Sequence, residues 1–593
     1  MKKGEIKEEV KKVFGNLFPE LRKGKFDFKK TQGDFRDWDS FMHMRLISAL
    51  EDRFGVNLPI NEAMDADSPI KFFELVVKNI PKEEKIDKTV VRPIFNNLSE
   101  ALAYWSERSG DKTFIESLDI KRKYSYSAFN ELVNSTVRFL HKQDVRKGDV
   151  IILCVRNSIE FLAIYFASAR LGSVINPIPS SVGVTELSAN VKFIKPKLSI
   201  IEEKHKGGDF GKSKIFTIRF EGRNSFIDDL SKFSGEAVST DLKSDDPTCL
   251  YYSSGTTAKP KGILFSHKGL MNLVLLMCHG FDHHKESIHL GILPMGHTSV
   301  VHHSVLPVLY KGGTFIFSEN FMKIRKDFWK IIEKYKINYI QAVPTVIFMI
   351  LNTKYLGYQR KKLALPYIAC GSAPLPESIK VSFEKRFSLR LANLYGLSEA
   401  GHLIADYPFK GKWKPGSIGR PLDAIDLKIF NDAGKEVRPN EVGEFVVKTP
   451  GFFMGYYKDK KLYEDSFKNG YFKTGDLGYK DKDGLFYYVG RKKDLIIKGG
   501  VNISPNLIDE VLIKHPKISE AASVGMPDKF FGETIKSFLV IKPGQKASIE
   551  EILKYCRKGL GAFKSPSEIE FVDAIPKTFS GKVLRRKLRK EGG

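Results

Sequence analysis

Apolar residues recur at helical spacing through the first eighty positions of this chain. Ile6, Val10, Val13 and Leu17 form one stripe and Leu46, Ile47, Leu50 and Phe54 a second, a pattern that predicts a small all-α bundle over residues 1–82. The lysine-rich stretch "PKEEKIDKTVVRP", positions 81 to 93, has few core residues and predicts a linker over 83–92. Beyond it, short apolar runs such as "DVIILCV" and "LSIIE" alternate with longer helical patterns such as "SIEFLAIYFASARLG", the signature of a parallel α/β fold. After Gly490 the pattern shortens to an α+β segment that ends in the basic tail "GKVLRRKLRKEGG". The division expected from these changes is a helical bundle (1–82), a linker (83–92), a large α/β domain (93–490) and a small C-terminal α+β domain (491–593).

Length and charge refine this picture. A chain of 593 residues with 42% apolar residues is too long for one core and rich enough to bury several. The 96 Lys and Arg outnumber the 70 Asp and Glu to give a net charge of +26. These cations are spread along the chain and accompany no recognised nucleic-acid module, so the surface suits small anions and at most peripheral membrane contact, and no nucleic-acid partner is expected. The five cysteines (Cys154, Cys249, Cys278, Cys370, Cys556) form no CxxC pair, which argues against a disulfide framework or a zinc site. The first residues, "MKKGEIKEEVKKVF", lack the continuous apolar core of a signal peptide, and no apolar run reaches bilayer length. A cytoplasmic protein is expected.

Chemistry enters at "YYSSGTTAKPKGI", Tyr251 to Ile263. Hydroxyls, backbone amides and lysines in succession make a loop able to wrap a polyphosphate, although its spacing is not that of a Walker loop. Read alone, it is equally a flexible polar turn. Further stretches follow in order: "GSAPL" from Gly371, "YGLSEAG" from Tyr395, "YFKTGD" from Tyr471, "GRKKDLIIKGGVNISP" from Gly490 and "PKTFSGKVLRR" from Pro576. With these motifs, over roughly residues 95 to 590, the chain resembles the acyl-adenylating superfamily of acyl- and aryl-CoA synthetases, luciferases and peptide-synthetase adenylation domains.

That resemblance implies a large adenylate-forming domain with a small mobile C-terminal domain, and a ligase that converts a carboxylic acid and ATP to acyl-AMP before passing the acyl group to a pantetheine thiol. It implies that Ser253, Ser254, Gly255, Thr256, Thr257 and Lys261 grip the β- and γ-phosphates, that Glu399 binds Mg²⁺, and that Ser398 contacts the α-phosphate. Gly371, Ser372, Ala373 and Tyr395 would line the adenine site, and Asp476 with Arg491 would hold the ribose. Lys582 would be the catalytic lysine of adenylation. Lys493 would be the hinge of the small domain, with Gly499 and Gly500 bordering a pantetheine tunnel. His297, in "LPMGHTS", would sit beside the acyl pocket. No aspartate for an amino group appears there, so a fatty or aryl acid is expected, the fatty acid preferred. Two positions depart from the family pattern: Ala258 replaces a glycine in the phosphate loop, and Ser398 replaces a threonine but keeps the hydroxyl.

The stretch "WDSFMHMRLISALEDRFGV" resembles the start of the second helix of an acyl carrier protein, with Ser40 at the position that carries 4′-phosphopantetheine. A helix cap is the plainer use of Asp39 or Ser40. Joined to an enzyme that consumes a pantetheine thiol, the match predicts transfer of the acyl group to the pantetheine on the protein's own Ser40. It implies as partners a phosphopantetheinyl transferase and either downstream acyl-transfer enzymes or another carrier. Free CoA is the alternative acceptor, and a carrier or scaffold with an inactive adenylating part is the alternative of another class.

Overall fold

The computed structural model of the chain describes residues 3–18, 26–35, 37–54, 58–79, 93–220, 225–230, 232–233, 240–253, 261–355, 357–406, 414–578 and 581–591. The chain divides into two compact units, residues 1–90 and 91–593. The stretch expected to be a linker, 83–92, lies outside the described residues.

The first unit is helical: α1 (Lys3–Leu17), α2 (Ser40–Phe54), α3 (Ile60–Met64) and α4 (Pro69–Asn79). Both predicted stripes face its core. Ile6, Val10, Val13, Leu46, Ile47 and Leu50 are buried, with Leu17 and Phe54 packed at the margin. Aromatic rings fill the centre, where Phe14 lies 5.5 Å from Trp38 and 6.0 Å from Phe72, centroid to centroid. Burying such rings is the main source of stability available to so small a core. The buried polar groups are paired: Trp38 Nε1 donates to His43 Nδ1 at 3.0 Å, which leaves His43 Nε2 to donate to the Ala63 carbonyl at 2.8 Å. This relay ties the turn before α2 to α3. Asp39 caps α2, its Oδ1 accepting from the Met42 amide at 2.7 Å.

The second unit is built on four sheets. The first has nine strands, in spatial order Arg420–Pro421, Gly401–Ala405, Arg390–Leu397, Tyr367–Cys370, Tyr339–Ala342, Ile288–Gly291, Thr314–Phe317, Thr113–Ser117 and Arg122–Ser125. Its six inner strands are parallel and its edges antiparallel. A seven-stranded sheet orders Gly455–Tyr456, Lys261–Ser266, Pro247–Ser253, Val174–Pro177, Val150–Cys154, Leu198–Ile201 and Lys214–Thr217. Helix Ile159–Leu171 is buried on nearly every side, only Arg170 reaching the margin, as expected of a helix that is apolar all round. The predicted parallel α/β architecture is present.

A third, antiparallel sheet carries Asp426–Phe430, Gly443–Lys448, Phe467–Lys468, Tyr471–Lys480 and Phe486–Arg491. The fourth contains Ile496–Lys498, Val501–Ile503, Ile518–Asp528, Gly532–Ile541 and Glu568–Phe571, with helices Pro505–Ile513 and Ile549–Lys564 packed over a core of their own. Gly499 and Gly500, at φ 55° and 78°, form the two-residue turn between paired Lys498 and Val501. Positive φ at both central positions is what a tight hairpin turn requires, and only glycine adopts it cheaply. All five cysteines are buried and unpaired. Among the described residues, no helix is long and apolar enough to cross a membrane.

Candidate active site

The parallel strands of the nine-stranded sheet end on one side, and the loops that leave them carry the motif residues, the usual place for a ligand in an open α/β sheet. A cavity of about 760 Å³ opens there, large enough for a nucleotide with a second substrate. Lys261, His297, Ser372, Ser398, Glu399, Arg491, Lys493 and Lys582 all line it.

One end is fixed by the third sheet. Asp476 and Arg491 face each other in register on adjacent strands, with Arg491 Nε 3.2 Å from Asp476 Oδ1. The Tyr395 hydroxyl donates to Asp476 Oδ2 at 2.8 Å, and the Asp476 amide donates to Thr474 Oγ1 at 3.0 Å. The carboxylate is buried, so these partners hold its orientation.

At the other end, Ser253 and Lys261 are cross-strand partners and close the ends of the predicted phosphate loop. Ser254, Gly255, Thr256, Thr257 and Ala258 lie outside the described residues, as does the Ser253 side chain. Lys261 Nζ sits 5.2 Å above the Tyr456 ring, and the Tyr456 hydroxyl donates to Glu399 Oε1 at 3.0 Å. Tyr456 thus touches both Lys261, by its ring, and Glu399, by its hydroxyl. Among the described residues, no group of three or more His, Cys, Asp or Glu could hold a metal. A single carboxylate nevertheless suits Mg²⁺, which takes one or two protein carboxylates and completes its shell with phosphates and water.

Lys582 enters from the C-terminal segment. The Thr578 amide donates to the Lys582 carbonyl at 2.8 Å, the Lys582 amide returns to Thr578 Oγ1 at 3.1 Å, and Lys577 pairs with Val583. Gly581 supplies the φ of 83° that this turn needs. Behind it, Arg585 donates to Asp509 Oδ2 at 2.7 Å, to Asn506 Oδ1 at 2.8 Å and to the Ser523 carbonyl at 2.7 Å, anchoring the turn to the fourth sheet's helix. Burial, with repulsion from Arg491 and Lys493 only partly offset by Asp476 and Asp494, pushes the Lys582 ammonium down to about 7. Burial likewise lowers Lys493, with Arg491 adding to it.

His297 caps the short helix Thr298–Val300. Its Nδ1 accepts from the Ser299 amide at 3.2 Å and lies 2.8 Å from the Ser299 hydroxyl, so the ring proton belongs on Nε2. Burial holds the ring neutral, its pKa lowered to about 4. A further turn, Val301–Val305, winds as a π-helix and brings His303 to the cavity wall beside His402.

Some predicted residues stand apart from the lining. Gly371 lies behind Ser372, where a Cβ would meet Leu394 at 3.0 Å, and Ser372 itself adopts φ 70°. Ala373, Tyr395, Asp476, Gly499 and Gly500 are not among the cavity-lining residues, Asp476 reaching the cavity only through its partner Arg491. Three residues that hold the site escaped the sequence reading. Thr474 lies inside "YFKTGD" and Arg585 inside "PKTFSGKVLRR", where a signal existed, whereas Tyr456 had none.

Comparison with known proteins agrees with this geometry. Residues 102–457 match the family of AMP-binding enzymes, and residues 507–582 match the AMP-binding enzyme C-terminal domain. The chain is 29% identical over 556 residues to a 4-hydroxybutyrate–CoA ligase of Metallosphaera sedula, covering 88% of this chain and 95% of that one. It is 30% identical over 493 residues to a crotonobetaine/carnitine–CoA ligase of Proteus mirabilis, covering 79% and 93%. Among solved structures, ATP-bound MatB from Rhodopseudomonas palustris superposes with a TM-score of 0.77 at 25% identity, covering 84% of this chain and 99% of that one. With both family domains in order and Lys261, Ser398, Glu399, Arg491 and Lys582 lining one cavity, this chain belongs to the AMP-binding enzymes, among their acid–thiol ligases.

Proposed function

We propose that this protein is an ATP-dependent acyl-CoA ligase. The observation that carries the reading is that Lys582 shares one cavity with Lys261, Glu399 and Arg491, whose guanidinium is paired to Asp476. Asp476 and Arg491 hold the ribose, with Tyr395 fixing the carboxylate. Lys261 and the loop from Ser253 to Thr257 receive the phosphates. Glu399 would hold Mg²⁺, which when bound would supply charge neutralisation for them. One oxygen of the substrate carboxylate attacks the α-phosphorus, the bond to the bridging oxygen breaks, and pyrophosphate leaves with its electrons. Lys582 stabilises the charge that develops between the two anions, and Ser398 orients the α-phosphate. The thiol of CoA, losing its proton, then attacks the acyl carbon and expels AMP. Movement of the small domain about Lys493 between the two steps, with the thiol passing Gly499 and Gly500, belongs to this proposal. The substrate is a carboxylic acid, as the names of the relatives suggest.

The lowered ammonium of Lys582 gives a test of its place in this scheme. A triphosphate beside it favours the charged form, so ATP binding above about pH 7 must take up a proton and weaken as pH rises. Titration calorimetry at pH 8 in buffers of different ionisation enthalpy should show that uptake in the wild type and none in Lys582→Ala. Equal uptake in both would remove Lys582 from the nucleotide site.

The relatives are CoA ligases, which favours free CoA over the protein's own Ser40 as acceptor. The carrier reading keeps one specific support: Ser40 is exposed and opens α2 behind the Asp39 cap, with Met44 exposed one turn on. Intact-mass spectrometry after co-expression with a phosphopantetheinyl transferase decides between them. The CoA reading expects acyl-CoA in solution and no change in protein mass. A pantetheine adduct that gains an acyl mass with ATP, absent in Ser40→Ala, would establish self-loading.

A further inference from the structure

One part of the cavity wall is unusual. Here the π-helical turn Val301–Val305 and the strand Gly401–Ala405 bring the rings of His303 and His402 to 3.9 Å, centroid to centroid. The two residues are 6% and 5% exposed, and both line the cavity. Among the described residues, neither Nδ1 nor Nε2 of His303 has a hydrogen-bond partner, nor does Nε2 of His402. A buried polar atom left unpaired costs about 1–3 kcal/mol, so three at one spot mark a place that a ligand or water completes.

Charge narrows the ligand. The groups that bear on His303 are the imidazoles of His402, His302 and His297, and no carboxylate is among them. Burial pushes His402 down to about 3, so both rings stand neutral, and two rings this close cannot both become cations. A neutral imidazole offers one donor and one acceptor. Its natural complement is an uncharged oxygen group. In the proposed reading the ribose and phosphates are already met by Arg491 with its partner Asp476, and by Lys261 and Glu399. The wall of His303 and His402, next to His297, is left for the tail of the acid.

We propose that His303 and His402 form a specificity subsite for a hydroxyl or keto oxygen carried on the substrate's chain, so that the enzyme selects an oxygenated acid over its plain alkyl parent. This rests on the acyl-CoA ligase reading and adds the substrate class to it.

The experiment is acid-dependent ATP–pyrophosphate exchange with length-matched series of alkyl, hydroxy, keto and dicarboxylic acids. It is run on the wild type, His303→Phe and His402→Phe. The inference expects the best hydroxy or keto acid to exceed its alkyl parent at least about tenfold in kcat/KM, since a site built for a polar group rejects the analogue lacking it. It also expects that ratio to fall toward one in both variants while the KM for ATP stays put. Equal or better use of the alkyl acid by the wild type overturns it, whatever the variants do. Preference for a dicarboxylic acid overturns it in favour of an anion site. Exchange with alkyl acids alone leaves the ligase reading intact, whereas exchange with no acid at all sinks both.

Discussion

Replacing Lys582 by alanine is expected to slow acyl-adenylate formation by about 10²–10³-fold, the usual effect of removing one preorganised group from a developing charge. The ammonium is the one described cation that the C-terminal segment 577–583 brings into the cavity, and its turn is fixed by Thr578, Gly581 and Arg585 rather than by contacts of its own side chain. Removing the side chain therefore leaves the fold intact. The thioester step, supplied with preformed acyl-adenylate and CoA, should change by less than about threefold, because an interaction made with the triphosphate and the adenylation transition state leaves the other step alone. Single-turnover rates of the two half-reactions check both statements. Equal losses in the two would mean that Lys582 holds the small domain rather than serving adenylation.

Asp476→Ala should be costly in a different way. It leaves the Arg491 guanidinium without its counter-ion and the Tyr395 hydroxyl without its acceptor. Breaking a buried pair from one side costs about 3–5 kcal/mol, and the low end applies because Arg491 keeps 26% of its side-chain surface in solvent. Denaturant unfolding should register that loss, and ATP affinity should fall at least about 100-fold as the ribose anchor goes. The double variant Asp476→Ala with Arg491→Met removes the orphaned charge as well. It should recover much of the stability and none of the nucleotide binding. Recovery of both would make the pair structural only.

How far the sequence reaches can be judged residue by residue. Strands such as Val150–Cys154 and Leu198–Ile201 are buried on both faces, so they read as unbroken apolar runs between helices. The antiparallel sheet over 426–491 was not legible in the same way. Several of its connections are turns at positive-φ positions, such as Gly434, Asn469, Gly470 and Gly484, and short pieces like Phe467–Lys468 carry too little period to register. That sheet supplies Asp476 and Arg491, which the motifs located without indicating that they face each other.

The relation of Tyr456 to Glu399 spans 57 positions and exists only because Gly455–Tyr456 pairs with Ile263 and Leu264. His303 and His402 are likewise joined by tertiary packing alone, 99 positions apart in the chain. Arg585 looked like one more cation in a basic tail, yet it bonds to the buried Asp509. In the helical unit the plainer reading of "DS" is present in full, since Asp39 caps α2 and Ser40 is left exposed.

The most direct test of the account is the stoichiometry of the complete reaction. The full-length protein is incubated with ATP, Mg²⁺, CoA and a panel of carboxylic acids, and the products are separated by chromatography. The account predicts one AMP, one pyrophosphate and one acyl-CoA for each acid consumed, with acid-dependent exchange of pyrophosphate into ATP when CoA is withheld. Release of ADP and phosphate in place of AMP and pyrophosphate, or no acid-dependent exchange from the folded protein, would contradict it.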